Sequence, residues 1–239
     1  GGHRVESLTR QTAKCANLPV RLIHVGGEIL TCDAWQAAIM LQPLDTVQGT
    51  IARLDNDKAA RHAWAARQLG LNDLAPYCIS RALFPLAESI AYLGVGGVDL
   101  DARELALRTE VLVKLAGADW IGVRDERTLA HLAAAGIAAS LVPDPAVMVA
   151  QFFGQKILAH GLAGEVAQIA KRFAGGYLAI QFSADFGDDA TLAIIAAQLD
   201  QIMAETGLGV VLFRAGSAPW HDDAEVYRPN AEQALLGTT

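Results

Sequence analysis

Cysteine is scarce in this chain: three among 239 residues, Cys15, Cys32 and Cys78, with no Cys-x-x-Cys pair. An odd, scattered set excludes a disulfide framework and a thiolate zinc site. It fits a reducing compartment, so a cytoplasmic location is expected and the three thiols read as small buried hydrophobes. Basic charge is also short. Lys and Arg number 19 against 26 Asp and Glu, a net charge of −7, and they form no cluster. That excludes a nucleic-acid partner, which needs a basic footprint. Long apolar runs are missing too. The stretch 90–98 (IAYLGVGGV) falls well below the roughly 20 residues of a membrane-spanning helix, so no transmembrane segment is expected. There is no Gly-x-Ser-x-Gly, His-Glu-x-x-His, P-loop or kinase signature. The chain opens Gly1-Gly2-His3, without Met, and is expected to be part of a longer protein.

What is present is core-forming material. Hydrophobic residues make up 52% and charged residues 19%, which excludes disorder and leaves enough apolar surface for one large domain or two small ones. Residues 20–25 (VRLIHV) read as a strand running into Gly26-Gly27. Residues 90–98 read as a buried strand, 119–124 (DWIGVR) as a second and 137–142 (IAASLV) as a third. Between them, 101–115 and 125–135 carry helical spacing. Asp101 is expected as the N-cap of the first, with Gly117 beyond its end, and Gly136 stops the second. Strand, helix, strand, helix, strand over 55 residues or so is a parallel, Rossmann-like βαβαβ unit. Residues 5–16 and 58–69 look helical, and the signal between 41 and 83 is otherwise poor.

After residue 147 comes a second unit: helix 162–174, strand 177–182, helix 190–205 and strand 209–213. The fold class expected is therefore α/β, with two Rossmann-like domains, 1–150 and 151–239, and a cleft between them. The second is expected to be incomplete, because only 26 residues follow its last strand.

Candidate chemistry gathers at strand ends. Gly26-Gly27 and Gly94-x-Gly96-Gly97 could bring backbone N–H groups close to a phosphate or carboxylate, or simply make tight turns. The dinucleotide fingerprint fails, because Asp99 stands where its last Gly belongs. Arg124 ends a strand, where its planar fork can face a carboxylate or phosphate in the cleft; alternatively it pairs with Asp125 at a helix start. Asp144 is fixed between Pro143 and Pro145. His221, Asp222 and Asp223 could serve acid–base chemistry, but they lack the spacing of a metal set, and no metal is expected.

The stretch from Asp119 to Asp144-Pro145 resembles the polysaccharide pyruvyl transferase family. That family shows a strand ending Val-Arg-Asp, then Glu-x-Ser, a Leu and a Gly, then a strand ending Asp-Pro. Arg124, Asp125, Glu126, Gly136, Asp144 and Pro145 occupy those places, with Thr128 where Ser is usual. His24-Val-Gly-Gly-Glu28 looks like the family's glycine-rich strand end, and Gly94 to Gly97 like its second. The resemblance implies a GT-B-like pair of Rossmann domains. It implies transfer of a pyruvyl group from phosphoenolpyruvate to sugar hydroxyls of a bacterial cell-surface or exported polysaccharide, without a cofactor. Carried over position by position, it implies Asp125, Asp144 and His221 as catalytic groups, and Gly26, Gly27, Glu28, Gly96, Gly97 and Arg124 as substrate contacts. The expected partners are phosphoenolpyruvate and a saccharide acceptor, with a homo-oligomer left open. The family's Arg-x-His-Gly stretch and its Gly-Asn-x-Gly-Asp loop have no counterpart here. The alternatives are a GT-B-like glycosyltransferase using a nucleotide sugar and a non-catalytic sugar-binding relative.

Overall fold

The structure, a computed structural model, describes residues 5–181 and 188–213. The chain divides into two compact units, Gly1–Phe152 and Phe153–Thr239. In the first, α1 (Leu8–Cys15) leads to strand β1 (Val20–Val25), followed by three helices, α2 (Ala34–Ile39), α3 (Leu44–Leu54) and α4 (Lys58–Leu69). Strand β2 (Ala87–Val95), helix α5 (Leu105–Ala116), strand β3 (Trp120–Val123), helix α6 (Glu126–Ala134) and the short strand β4 (Ser140–Leu141) complete a four-stranded sheet. Its order is β1-β2-β3-β4 and every neighbouring pair is parallel. This is the mixed α/β unit the alternating pattern foretold.

Two helices that the sequence pattern did not resolve, α2 and α3, fold with α4 into a cluster of their own around Trp35, Ile39, Val47 and Trp64. The two indoles meet edge to face with ring centroids 5.4 Å apart. Asp33 starts α2 as a capping box: its side chain accepts the Gln36 N–H while the Gln36 side chain accepts the Asp33 N–H.

Strand register explains the main core. Leu22 pairs with Ile90, His24 with Tyr92, and Tyr92 with Ile121, so all of these point to one face. There they meet Leu107, Val111 and Leu115 of α5 and Leu132 of α6. His24 is buried and stacks on Tyr92 with ring planes 5° from parallel. Its Nε2 accepts the Ile79 N–H at 3.0 Å, which makes Nδ1 the protonated nitrogen, donating to Ala91 O at 3.1 Å. The opposite face carries Ile23, Val25, Ala91, Leu93 and Trp120. On it Ile23 is 65% and Val25 61% exposed.

The expected strand 90–98 is displaced. It runs Ala87–Val95, and the chain turns at Gly96-Gly97 into a 3-10 turn at Leu100–Ala102. Asp101 lies inside that turn and caps nothing; the residue before α5 is Glu104. Gly117 has φ −90, so it ends α5 without the left-handed conformation. The expected strand 137–142 shrinks to two residues. Of the three thiols only Cys78 is fully buried, while Cys15 and Cys32 are half-buried.

A further helix, α7 (Val149–Gly161), follows the 3-10 turn Pro145–Met148. In the second unit α8 (Gly164–Arg172), strand β5 (Tyr177–Ile180), α9 (Asp189–Thr206) and strand β6 (Gly209–Leu212) form a βαβ unit with parallel strands. Among the described residues its core has Leu192 packed with Ile180, Ile195, Leu199 and Leu212. Among the described residues no helix is long and apolar enough to cross a membrane.

Candidate functional site

Four parallel strands that share one direction bring four loops to one edge of the sheet. At the end of β1, Gly26 and Gly27 take φ of 62° and 78°, a left-handed pair that turns the chain sharply and delivers Glu28 over the edge. At the end of β2, Gly96 accepts a close neighbour. A Cβ there would overlap the Glu28 carboxylate and stand 2.7 Å from Arg124 Nε, so only glycine leaves the two side chains room to cross the strand end. At the end of β3 stand Arg124 and Asp125, and after β4 comes Asp144 between its prolines.

These groups meet through Arg124. Its Nη1 donates to Asp144 Oδ2 at 2.7 Å and its Nη2 to Glu28 Oε2 at 2.8 Å. The second oxygen of Glu28 accepts the Val98 N–H at 2.7 Å, and the second oxygen of Asp144 accepts the Ala146 N–H at 2.9 Å. One guanidinium thus ties the ends of β1, β3 and β4, and Glu28 adds the loop after β2. The three side chains are each about a third exposed, at 30% for Arg124, 38% for Glu28 and 30% for Asp144. The Ala146 N–H, and then the Arg124 guanidinium, hold the Asp144 carboxyl below its ordinary range. The Asp144 hydrogen bond in turn holds the guanidinium proton more firmly than usual.

Arg124 therefore does not pair with Asp125. Asp125 caps α6 instead: Oδ1 accepts the Thr128 N–H at 2.7 Å and Oδ2 accepts the Thr128 hydroxyl at 2.7 Å. Thr128, fully buried, accepts the Gly97 N–H at 2.9 Å through the same hydroxyl oxygen. That links the glycine turn after β2 to the start of α6. Sequence reasoning gave Thr128 no role of its own; its signal was a hydroxyl three residues beyond a capping Asp.

Of the expected site residues, Glu28, Gly96, Arg124 and Asp144 come together, with Gly26 beside Asp144. Gly27 and Gly97 shape the surrounding turns: Gly27 O accepts the Gly96 N–H at 2.8 Å, and Gly97 bonds Thr128. Asp125 is turned toward Thr128. His221 lies outside the described residues, as do Asp222 and Asp223. Among the described residues no three His, Cys, Asp or Glu side chains gather in a way that could hold a metal ion.

Chemically, the edge offers a fork of guanidinium donors flanked by two carboxyl side chains at the C-terminal ends of parallel strands, where open α/β sheets bind ligands. No protein-family model, curated protein or solved structure matches the chain.

Proposed function

We propose that the protein is a pyruvyl transferase that moves the pyruvyl group of phosphoenolpyruvate onto two hydroxyls of a saccharide, within a GT-B-like pair of Rossmann domains. One observation carries this reading. Arg124, Glu28 and Asp144, far apart in sequence and all within motifs that resemble that family, converge on one sheet edge around a guanidinium. Phosphoenolpyruvate carries a carboxylate and a phosphate, both suited to a planar fork and to backbone N–H groups at glycine turns.

The reaction asks for three things. A proton must reach the methylene carbon, leaving a cation at the carbon that bears the phosphate ester. A first sugar hydroxyl then adds to that carbon and loses its proton. A second hydroxyl replaces the phosphate, which departs with the balance of the protons, and a ketal remains. Asp144, kept ionised by Ala146 N–H and Arg124, suits the base that accepts a hydroxyl proton. Arg124 suits the group that balances the donor's charge. Asp125 has both oxygens engaged by Thr128, so its part is to hold the glycine turn in place.

The test is direct. Phosphoenolpyruvate should raise the melting temperature of the protein, because a ligand that binds only the folded state stabilises it, while a UDP-sugar should do much less. Arg124→Lys should weaken phosphoenolpyruvate binding about ten- to a hundredfold through loss of the planar fork, with the fold kept. A shift with the UDP-sugar alone would replace this reading with a nucleotide-sugar glycosyltransferase.

A further inference from the structure

Around Arg124 two carboxylates face one guanidinium, which leaves an excess of one negative charge. A ligand carboxylate or phosphate added to this cluster would meet repulsion from both acids unless one of them moves away. The two acids are not equally free to do so. Asp144 has a short side chain, its backbone lies between Pro143 and Pro145, and its second oxygen caps the 3-10 turn Pro145–Met148. Glu28 has a longer side chain and follows two left-handed glycines.

The way Glu28 is held is informative. Its two carboxylate oxygens bridge a guanidinium N–H at 2.8 Å and a backbone N–H, that of Val98, at 2.7 Å. These two donors come from different strand ends, β3 and the turn after β2. A small carboxylate needs the same pair of donors, one charged and one from the backbone. Gly96, lacking a Cβ, keeps that space open.

We propose that Glu28 is a built-in stand-in for a ligand carboxylate. Its carboxylate fills a site made by Arg124 Nη2 and Val98 N–H, and it swings out when a ligand's carboxylate takes its place. The pyruvyl-transfer reading supplies only the identity of the ligand; the carboxylate site rests on the donors themselves. Exchange of one carboxylate for another keeps the charge of the cluster constant. It also makes the Glu28 contact a competitor that lowers the apparent affinity of the wild-type protein, just as a minor binding-competent population does.

Calorimetric titration of the full chain with pyruvate, a carboxylate without phosphate, and separately with phosphoenolpyruvate tests this. Glu28→Ala is expected to bind pyruvate at least about tenfold more tightly than wild type, since both donors are left free. Glu28→Gln, which keeps the shape and drops the charge, should shift affinity the same way by less. Adding Arg124→Met to Glu28→Ala should abolish binding. Equal or weaker pyruvate binding by both Glu28 variants, with circular dichroism spectra like wild type, would overturn the proposal. Should Glu28→Ala fail to fold, the Glu28→Gln result decides. A gain for pyruvate with no binding of phosphoenolpyruvate by any variant would keep the carboxylate site and remove the pyruvyl-transfer reading. Phosphoenolpyruvate binding that ignores both Glu28 substitutions would do the reverse.

Discussion

Thr128 shows how much one buried hydroxyl can organise. Its oxygen accepts from Gly97 and its proton goes to Asp125, so the N-cap of α6 and the turn after β2 depend on the same atom. Asp125→Ala removes the cap, at about 1 kcal/mol. It also leaves the Thr128 hydroxyl, which is fully buried, without its acceptor, for about another 1 kcal/mol. The expected loss is about 2 kcal/mol in urea unfolding followed by tryptophan fluorescence. Asp125→Asn, which keeps one oxygen for the Thr128 N–H but sets an amide NH2 where Oδ2 accepted the hydroxyl, should recover only the capping half of it. A loss confined to a few tenths would mean that Thr128 finds another acceptor.

Among the elements, α5 does more than cover the sheet. Lys114 reaches back to donate to Asp73 Oδ2 at 2.7 Å, Glu110 Oε1 at 2.6 Å and Ala75 O at 3.0 Å. Glu110 also accepts the N–H groups of Leu74 and Ala75. Burial pushes the Glu110 carboxyl up, and the hydrogen bonds from Lys114, Ala75 and Leu74 outweigh it, so the carboxyl ends lower than usual. This knot fastens the connection between α4 and β2 to the helix that follows β2. Lys114→Met keeps the apolar stem and deletes the ammonium. It is expected to cost roughly 2–3 kcal/mol, below the range for fully buried pairs because Glu110 and Asp73 remain within reach of water. The readout is the shift in unfolding midpoint; no shift would demote the knot to a surface ion pair.

At the scale of the whole molecule, the strand order β1-β2-β3-β4 advances in one direction. Helices α5 and α6, which connect the sheet's last three strands, both pack on the face that carries Ile90, Tyr92 and Ile121. The covered face makes the core, and stability follows the chemistry buried there. His24, stacked on Tyr92 of that core, is the side chain there whose ordinary pKa lies near neutral pH. Burial lowers its pKa from the usual 6.5, against the opposing effect of the Ala91 carbonyl, and the Ile79 N–H needs its Nε2 lone pair. The unfolded chain therefore takes up a proton near pH 6.5 that the folded chain refuses. The contribution to stability is complete above that pH and is lost as pH falls toward the lowered folded value. Unfolding midpoints should therefore fall as the pH is lowered from about 7.5 to about 5.5. His24→Gln, which can accept from Ile79 and does not titrate, should show less of this slope when unfolding midpoints are compared at the two pH values. An identical slope in the variant would assign the dependence to other groups.

Local signals decided most of the elements. VRLIHV became β1 and KAARHAWAARQL became α4 with the expected bounds, because alternation and helical spacing act between near neighbours. Gly136 and Gly207 stop their helices with left-handed φ, a preference written into glycine itself. The strand ends likewise named Arg124 and Asp144 as residues of interest. The structure decided who meets whom. Nothing local says that Arg124 ties to Glu28, 96 residues away, rather than to its neighbour Asp125. Parallel pairing brings strand ends together whatever their separation in the chain, and Asp125 was already committed to the backbone of its own helix. The register that puts His24 on Tyr92, and the loop that carries Ile79 to both, are likewise decided by packing between elements. The strand expected at residues 137–142 shortened to Ser140–Leu141 for the same reason. Strand pairing needs a partner in register, and β3 pairs with it only at Gly122 and Val123.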